Sequence, residues 1–108
     1  MLFRSLILGG AAGTISVTAN VAPAQMSAMC ALALSGDGLA AQAADDRLAR
    51  LHANLFLESN PAPVKWALQK MGMIEAGIRL PMVELDARYH IQVNEALQQA
   101  GINLSVAA

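Results

Sequence analysis

The sequence predicts a mostly α-helical piece of a parallel α/β fold, with a single β-strand near residues 14–18. The strand is indicated by the run Thr14-Ile15-Ser16-Val17-Thr18, because β-branched residues favour strands. Most of the chain after this run repeats its apolar residues at the spacing of an α-helix. Helices that alternate with a strand are typical of parallel α/β folds, in which helices cover a buried sheet.

The composition indicates a chain that buries apolar surface against another polypeptide. Of the 108 residues, 56% are hydrophobic and 14% are charged, whereas about 25% charged residues is usual. A domain of this size buries only about 60–70% of its unfolded surface, so some apolar surface is expected to need a partner. The net charge of −1 provides no electrostatic basis for binding nucleic acid or an anionic membrane.

The N-terminal region has no charged residue between Arg4 and Asp37, and three interpretations are open. A membrane-spanning helix needs about 20 predominantly apolar residues, but glycine, serine and threonine interrupt this run. A secretory signal would use Arg4 as its basic region and would be cleaved after Ala19 or Ala24. The third interpretation is the end of a helix, a turn and the strand at residues 14–18.

The third interpretation begins with a helix over residues 3–8 that stops at Gly9-Gly10, since glycine readily adopts the left-handed conformation that ends helices. The strand follows. A strand cannot pair its own N–H and C=O groups, and the sequence contains no second convincing strand. The chain is therefore expected to be a piece of something larger, or to pair with another polypeptide.

Four further helices are predicted from apolar periodicity and capping residues. They cover residues 25–35, residues 39–57, the segment that follows the N-cap Asn60, and the segment from the N-cap Asp86 to about residue 100. The residues expected on their packing faces are Met26, Met29, Cys30, Ala33, Leu34, Ala40, Ala44, Leu48, Leu51, Leu55, Val64, Ala67, Leu68, Met71, Val93, Ala96, Leu97 and Ala100.

No catalytic or metal-binding constellation stands out among the residues that could carry chemistry. His52 and His90 occur on different predicted helices, outside any metal-binding spacing, so we expect His52 beside an apolar stripe and His90 at the surface. Cys30 lies on a helical stripe, where a buried cysteine acts as a small hydrophobe. Asp45 and Asp46 point about 100° apart around a helix, and both are expected to be solvated.

The two lysines of the third predicted helix are interpreted as ordinary residues. A Schiff base requires a lysine with a pKa lowered by desolvation, whereas Lys65 is one turn into a surface-type helix and Lys70 lies near a helix C-terminus, where a cation is favourable. The single cysteine excludes an internal disulfide framework. The residues by themselves therefore predict no metal, no cofactor and no active site.

Two stretches of the sequence resemble one enzyme family. Residues 13–23 read Gly-Thr-Ile-Ser-Val-Thr-Ala-Asn-Val-Ala-Pro, and residues 60–67 read Asn-Pro-Ala-Pro-Val-Lys-Trp-Ala. Further matching residues occur within 51–58 and 79–82. In this order, and over about residues 6–102, the chain resembles the C-terminal part of the dihydrodipicolinate synthase (4-hydroxy-tetrahydrodipicolinate synthase) family. A sister family such as N-acetylneuraminate lyase fits residues 60–67 less well.

The resemblance implies a (β/α)8 TIM barrel with a C-terminal helical extension. Residues 1–35 would provide the end of the seventh barrel helix, the eighth strand and the eighth helix, and residues 36–108 would form the extension. The charge-free run would then belong to the barrel rather than to a membrane. A barrel of this kind takes about 250 residues, so this chain is not expected to close one alone.

The resemblance also implies a function. The family is a lyase that condenses pyruvate with aspartate semialdehyde, in the diaminopimelate route of lysine biosynthesis, through a Schiff base on a lysine of the sixth strand. That lysine and the family's other catalytic residues precede the matching segment, and Lys65 belongs to the helical motif instead. No catalytic residue is therefore implied here. Ile15, on the eighth strand, matches a position that contacts pyruvate.

The resemblance further implies a cytoplasmic enzyme that forms a homotetramer, without a metal, a cofactor, nucleic acid or a membrane. The chain alone is predicted to be inactive. Two alternatives stay open at this point. The chain could be a non-catalytic interaction module that docks with a synthase or with its N-terminal part, or it could be a small exported protein.

Overall fold

Helices make up the architecture that the computed structural model gives to residues 2–104, and Met1 and residues 105–108 lie outside the described residues. The α-helices of this part, in chain order, are α1 (Leu2–Leu8), α2 (Thr18–Val21), α3 (Pro23–Leu34), α4 (Gly38–Asp46), α5 (Ala49–Asn54), α6 (Ala62–Lys70) and α7 (His90–Gln99). A short 3-10 helix, Ala87–Tyr89, leads into α7.

The strand expected at residues 14–18 is not formed in the described part of the chain. Residues 11–16 have no regular secondary structure, and Thr18 begins α2 instead of ending a strand. The physical reason is that a strand requires a hydrogen-bonded neighbour, and residues 2–104 contain no other strand. The expected mostly α-helical class of the chain is confirmed.

Helices α1, α3 and α7 lie where their sequence signals place them. The first turn of α3 contains Pro23, which fits there because the first turn does not need its missing N–H. Helix α7 ends before Gly101, which adopts a positive φ of 79°. The packing face predicted for α7 is confirmed, because Val93, Ala96 and Leu97 are buried.

The predicted caps are partly corrected. Asp86 does act as a cap, since its Oδ1 accepts a hydrogen bond from the Arg88 N–H at 3.0 Å, but it caps the 3-10 helix that precedes α7. Asn60 does not cap α6, because Pro61 occupies the N-cap position without a side-chain hydrogen bond.

The single helix predicted over residues 39–57 is also wrong, because two helices occupy this segment. Helix α4 ends at Asp46 and α5 begins at Ala49. The apolar stripe nevertheless continues across the interruption, since Leu48, Leu51 and Leu55 are all fully buried. The interruption therefore leaves the apolar core intact, but it changes which polar side chains of α4 and α5 can form hydrogen bonds with each other.

A core of leucine and methionine side chains holds the helices together. Helix α3 packs against α1, α2 and α4, while α7 packs against α5 and α6. The largest completely buried apolar side chains at the centre are Met29, Leu48, Leu51, Leu55 and Leu97. Burial of one such side chain contributes roughly 1.5–3 kcal/mol, so these few residues dominate the stability of the packed helices.

None of the helices within residues 2–104 has the length and apolar character needed to cross a bilayer.

Candidate functional site

The candidate site is the irregular segment of residues 11–17, which carries Ile15. At its start the Ala11 N–H donates to the Leu6 C=O at 2.9 Å, and at its end the Asn20 N–H donates to the Val17 C=O at 3.1 Å. Residues 12–16 have no backbone hydrogen-bond partner within the described part of the chain. The side chain of Ile15 is 99% exposed. The segment is thus held at its two ends and open along its middle.

A buried polar network adjoins the downstream end of this segment. The Thr18 Oγ1 atom lies 2.8 Å from His52 Nδ1, and His52 Nε2 lies 3.0 Å from Asp45 Oδ1. The three residues are 1%, 5% and 2% exposed, respectively. The expectation that Asp45 is solvated is therefore wrong, because its carboxylate has buried partners, and His52 belongs to the core instead of flanking it.

The interruption between α4 and α5 makes the contact between Asp45 and His52 possible. In a continuous helix, residues seven positions apart are separated by about 10.5 Å along the axis. That separation is too long for a direct hydrogen bond. Because the chain turns between Asp46 and Ala49, the two side chains reach each other at 3.0 Å.

One arrangement of protons satisfies both hydrogen bonds of the network. A neutral imidazole that donates from Nε2 to the Asp45 carboxylate leaves Nδ1 free to accept the Thr18 hydroxyl proton, so each ring nitrogen is satisfied. Burial acts to raise the pKa of Asp45, but side-chain hydrogen bonds, one of them with His52, and nearby positive charge hold it below its ordinary value of 3.8. The Arg4 Nε atom, 3.8 Å from Asp45 Oδ2, adds positive charge on this side.

Ile15 and two residues of the network, Thr18 and His52, border a common pocket of about 350 Å³. Its walls include Phe3 and Phe56 as well as Thr18 and His52. A hydroxyl, an imidazole and a carboxylate in this order also occur in serine hydrolases. However, Thr18 is almost completely buried, so its oxygen is not accessible for attack on a substrate. The arrangement is suited to holding the chain in place.

The remaining candidate residues do not join this site. On α6 and α7, the rings of Trp66 and His90 stack with centroids 4.4 Å apart, and the Lys70 Nζ atom lies 5.5 Å from the Trp66 ring centroid. His90 is half-buried instead of being a surface residue, since its Nε2 also lies 3.1 Å from the Leu85 carbonyl oxygen. The geometry indicates structural roles for these side chains.

Cys30 is half-buried on α3, where burial raises the pKa of its thiol. A raised pKa lowers the fraction of reactive thiolate at neutral pH, which agrees with the expected role as a small hydrophobe. Lys65 is half-buried on α6. Within residues 2–104, no three histidine, cysteine, aspartate or glutamate side chains are grouped so that they could hold a metal ion.

Comparison with known proteins identifies the family. The model of the dihydrodipicolinate synthetase family matches residues 1–100. The chain belongs to this family. The resemblance carried by residues 13–23 and 60–67 is thereby confirmed.

Curated relatives of this synthase-family chain include enzymes named 4-hydroxy-tetrahydrodipicolinate synthase. The protein from Thioalkalivibrio sulfidiphilus is 59% identical over 100 residues, which are 93% of this chain and 34% of that protein. The protein from Pseudomonas aeruginosa is 56% identical over 97 residues, which are 90% of this chain and 33% of that protein. The chain thus spans about a third of the length of the curated relatives it matches.

Solved synthases share the shape of the chain. A chloride-inhibited dihydrodipicolinate synthase from Acinetobacter baumannii, crystallised with pyruvate, superposes with a TM-score of 0.88 at 50% identity, covering 93% of this chain and 34% of that one. The synthase from Thermotoga maritima gives 0.87 at 38% identity, covering 94% and 34%. These neighbours confirm the expected fold class, a mostly helical part of a TIM-barrel enzyme.

Proposed function

We propose that this chain is the C-terminal part of a dihydrodipicolinate synthase subunit. Residues 1–35 would complete the (β/α)8 barrel and residues 36–108 would form its helical extension. The observation that carries the proposal is the match at 59% identity to a third of the Thioalkalivibrio synthase, together with the shared shape of the solved synthases. The complete enzyme would condense pyruvate with aspartate semialdehyde in lysine biosynthesis.

Ile15 is the residue of this chain that we assign to the pyruvate site. Its segment has unpaired peptide groups within the described residues and an exposed β-branched side chain, and both features suit a strand that is completed by neighbouring barrel strands. Active sites of TIM barrels lie at the C-terminal ends of the strands. Ile15 would contribute packing and backbone contacts there, without taking part in proton transfer.

The catalytic lysine would lie outside this chain, in the preceding part of the barrel. Lys65 and Lys70 are poor candidates, because both lie on α6, and Lys70 is placed against the Trp66 ring. The isolated chain would therefore be inactive. We further propose a cytoplasmic homo-oligomer, a tetramer in the complete enzyme, with neither cofactor nor metal.

Exposed apolar side chains support the need for a covering polypeptide. Leu6, Leu8, Ile15 and Phe56 are all exposed, on or near the segment that would enter the barrel. Large exposed apolar surfaces mark contact sites in soluble proteins. In the proposed enzyme this surface would be covered by the rest of the barrel. An interaction module that docks with a synthase would use the same surface.

A chimeric enzyme tests the proposal. Residues 1–100 would replace the matching third of the Thioalkalivibrio synthase, and condensation of pyruvate with aspartate semialdehyde would be measured. We expect kcat within about tenfold of the parent enzyme, equivalent to roughly 1.4 kcal/mol in the barrier. The parent enzyme and the parent lacking that third are the controls. A folded chimera that cannot turn over both substrates would refute the proposal.

The isolated chain provides the complementary test. Incubation with pyruvate followed by borohydride reduction traps a lysine Schiff base as a stable adduct that mass spectrometry detects. We expect no adduct on Lys65 or Lys70 and no turnover by the 108-residue chain. An adduct on either lysine would show that the catalytic lysine has been placed wrongly. Restored turnover after addition of a separately expressed N-terminal part would favour the docking alternative.

A further inference from the structure

We propose that the buried network of Thr18, His52 and Asp45 positions the segment that carries Ile15. The three residues would be positioning residues for pyruvate binding and would not themselves contact the substrate. The consequence for pyruvate rests on the function proposed above. The positioning of the segment by the network depends only on contacts within this chain.

The segment is attached to helices at both of its ends. Upstream, the end of α1 holds Ala11 through its hydrogen bond to Leu6. Downstream, Thr18 is the first completely buried residue after the segment. Three residues of extended chain span at most about 11 Å, so the position of Thr18 strictly limits where Ile15 can lie.

The network connects separate helices. Thr18 begins α2, Asp45 lies on α4 and His52 lies on α5. On α1, Phe3 contacts the His52 ring edge-on, with the ring centroids 5.9 Å apart. A satisfied and buried polar network rigidifies its surroundings, because any displacement leaves a polar group without a partner. The region where these four helices meet is thus the rigid part of the chain to which the segment is attached.

Ile15 borders the same pocket as Thr18 and His52, so displacement of the imidazole changes a wall of the pocket that Ile15 also lines. The network links Thr18 in this wall to His52 on α5 and Asp45 on α4. Helix α2 also packs against α6, and α5 packs against α7, but none of the residues that line the pocket belongs to α6 or α7. A change at the buried hydroxyl should therefore be transmitted to Ile15 before it affects the packing of α6 with α7.

The test uses two substitutions at one position. Thr18→Val replaces the hydroxyl with a methyl group of similar size, while Thr18→Ser keeps the hydroxyl and removes the methyl group. Backbone order parameters from ¹⁵N relaxation of the 108-residue chain report local rigidity, with values near 0.85 for rigid and below about 0.6 for flexible backbone. We expect T18V to lower the order parameters of residues 12–17 and to leave the order parameters of α6 and α7 unchanged. We expect T18S to keep the wild-type pattern.

Two results of this measurement would overturn the proposal. Order parameters of residues 12–17 that stay unchanged in T18V would show that the network does not hold the segment. Equal loosening of residues 12–17 and of α6 and α7 would show that Thr18 contributes only to general stability.

Kinetics of the chimeric enzyme provide the second readout, and the surrounding barrel supports the fold even if T18V unfolds the isolated chain. A displacement of about 1 Å can reduce catalysis by about 100-fold. We therefore expect T18V to raise the KM for pyruvate by about five- to tenfold, with little change in the KM for aspartate semialdehyde, and T18S to reverse most of this rise. An unchanged pyruvate KM in an active T18V chimera would overturn the proposal.

The two measurements separate failure of this inference from failure of the proposed function. If the chimera without substitutions is inactive, the proposed function fails, and the order parameters of the isolated chain alone decide whether the network positions the segment. If the chimera is active, the pyruvate KM decides whether that positioning affects substrate binding.

Discussion

Replacement of Asp45 by asparagine should make the stability of the chain less dependent on pH. The folded pKa of Asp45 is lowered, because side-chain hydrogen bonds, one of them with His52, and nearby positive charge outweigh the effect of burial. A carboxylate with a depressed folded pKa stabilises the native state above its unfolded pKa, near 3.8, and this contribution disappears as pH falls through the folded value. Asp45→Asn should therefore destabilise the chain at pH 7 and have little effect at pH 2.

The size of the effect follows from the contacts. A hydrogen bond to a charged group contributes about 1.5–3 kcal/mol. The asparagine oxygen can still accept from His52 Nε2, so part of the interaction with Asp45 Oδ1 is retained, whereas the attraction to the Arg4 guanidinium at 3.8 Å is lost. Because part of the interaction is retained, we expect a loss of about 1–2 kcal/mol in the free energy of unfolding at pH 7, toward the lower end of the range for charge-assisted bonds.

Urea unfolding followed by circular dichroism measures this loss at pH 7, 5, 4, 3 and 2. With an m value of about 1–3 kcal/mol per molar urea, the midpoint should decrease by roughly 1 M at pH 7. Asp46→Asn is the matched control, because Asp46 is exposed on the same helix, and it should shift the midpoint little. Equal effects of the two substitutions, or a difference that persists at pH 2, would refute the assignment of Asp45 as a buried, ionised hydrogen-bond acceptor.

Three further perturbations test the packing of the helices. Leu97→Ala removes a fully buried side chain and should lower the free energy of unfolding in urea by about 2–5 kcal/mol. Leu39→Ala is the control, because this position is 86% exposed, and it should change the free energy of unfolding by less than about 0.5 kcal/mol. Similar losses in the two variants would contradict the assignment of Leu97 to the core. Cys30 should react with iodoacetamide at pH 7.5 more slowly in the folded chain than in urea, because burial raises the pKa of its thiol, and equal rates would show that the thiol is freely exposed. His90→Ala should shift the fluorescence of Trp66, the single tryptophan, to longer wavelength by removing the ring that covers it, and an unchanged spectrum would argue against the stack.

The fold was predictable where a helix is marked by both its period and its ends. Helix α7 is the clearest case, because Val93, Ala96 and Leu97 repeat at helical spacing and Gly101 ends the segment. The interruption between α4 and α5 was not predictable in this way. Neither glycine nor proline marks it, and the leucines continue the same stripe on both sides.

The buried network was hidden for the same reason. If residues 39–57 are assumed to form one helix, Asp45 and His52 are two turns apart, and no direct contact between them is expected. Thr18 is a further 27 positions away from Asp45 in the sequence, counted from the residue numbers, so only tertiary structure brings it to the imidazole. The available signal was weak: a histidine and an aspartate next to the core stripe of a predicted helix.

The strand predicted at residues 14–18 is the opposite case, because its local sequence signal is clear but the structure does not form it. Its β-branched residues favour a strand, yet the described part of the chain forms no strand because strand formation depends on neighbours. Local propensity therefore indicates what this segment can become in a sheet. The sheet itself has to be provided by other residues.

The unpaired segment also affects how the chain behaves at high concentration. Residues 12–16 present peptide groups without partners in the described residues and the exposed side chain of Ile15. Unpaired peptide groups of this kind can form hydrogen bonds with any other extended polypeptide, including a second copy of the same segment. The chain, when purified alone, is expected to self-associate through residues 12–16. Any polypeptide that covers the segment should improve the solubility of the chain as well as complete its fold.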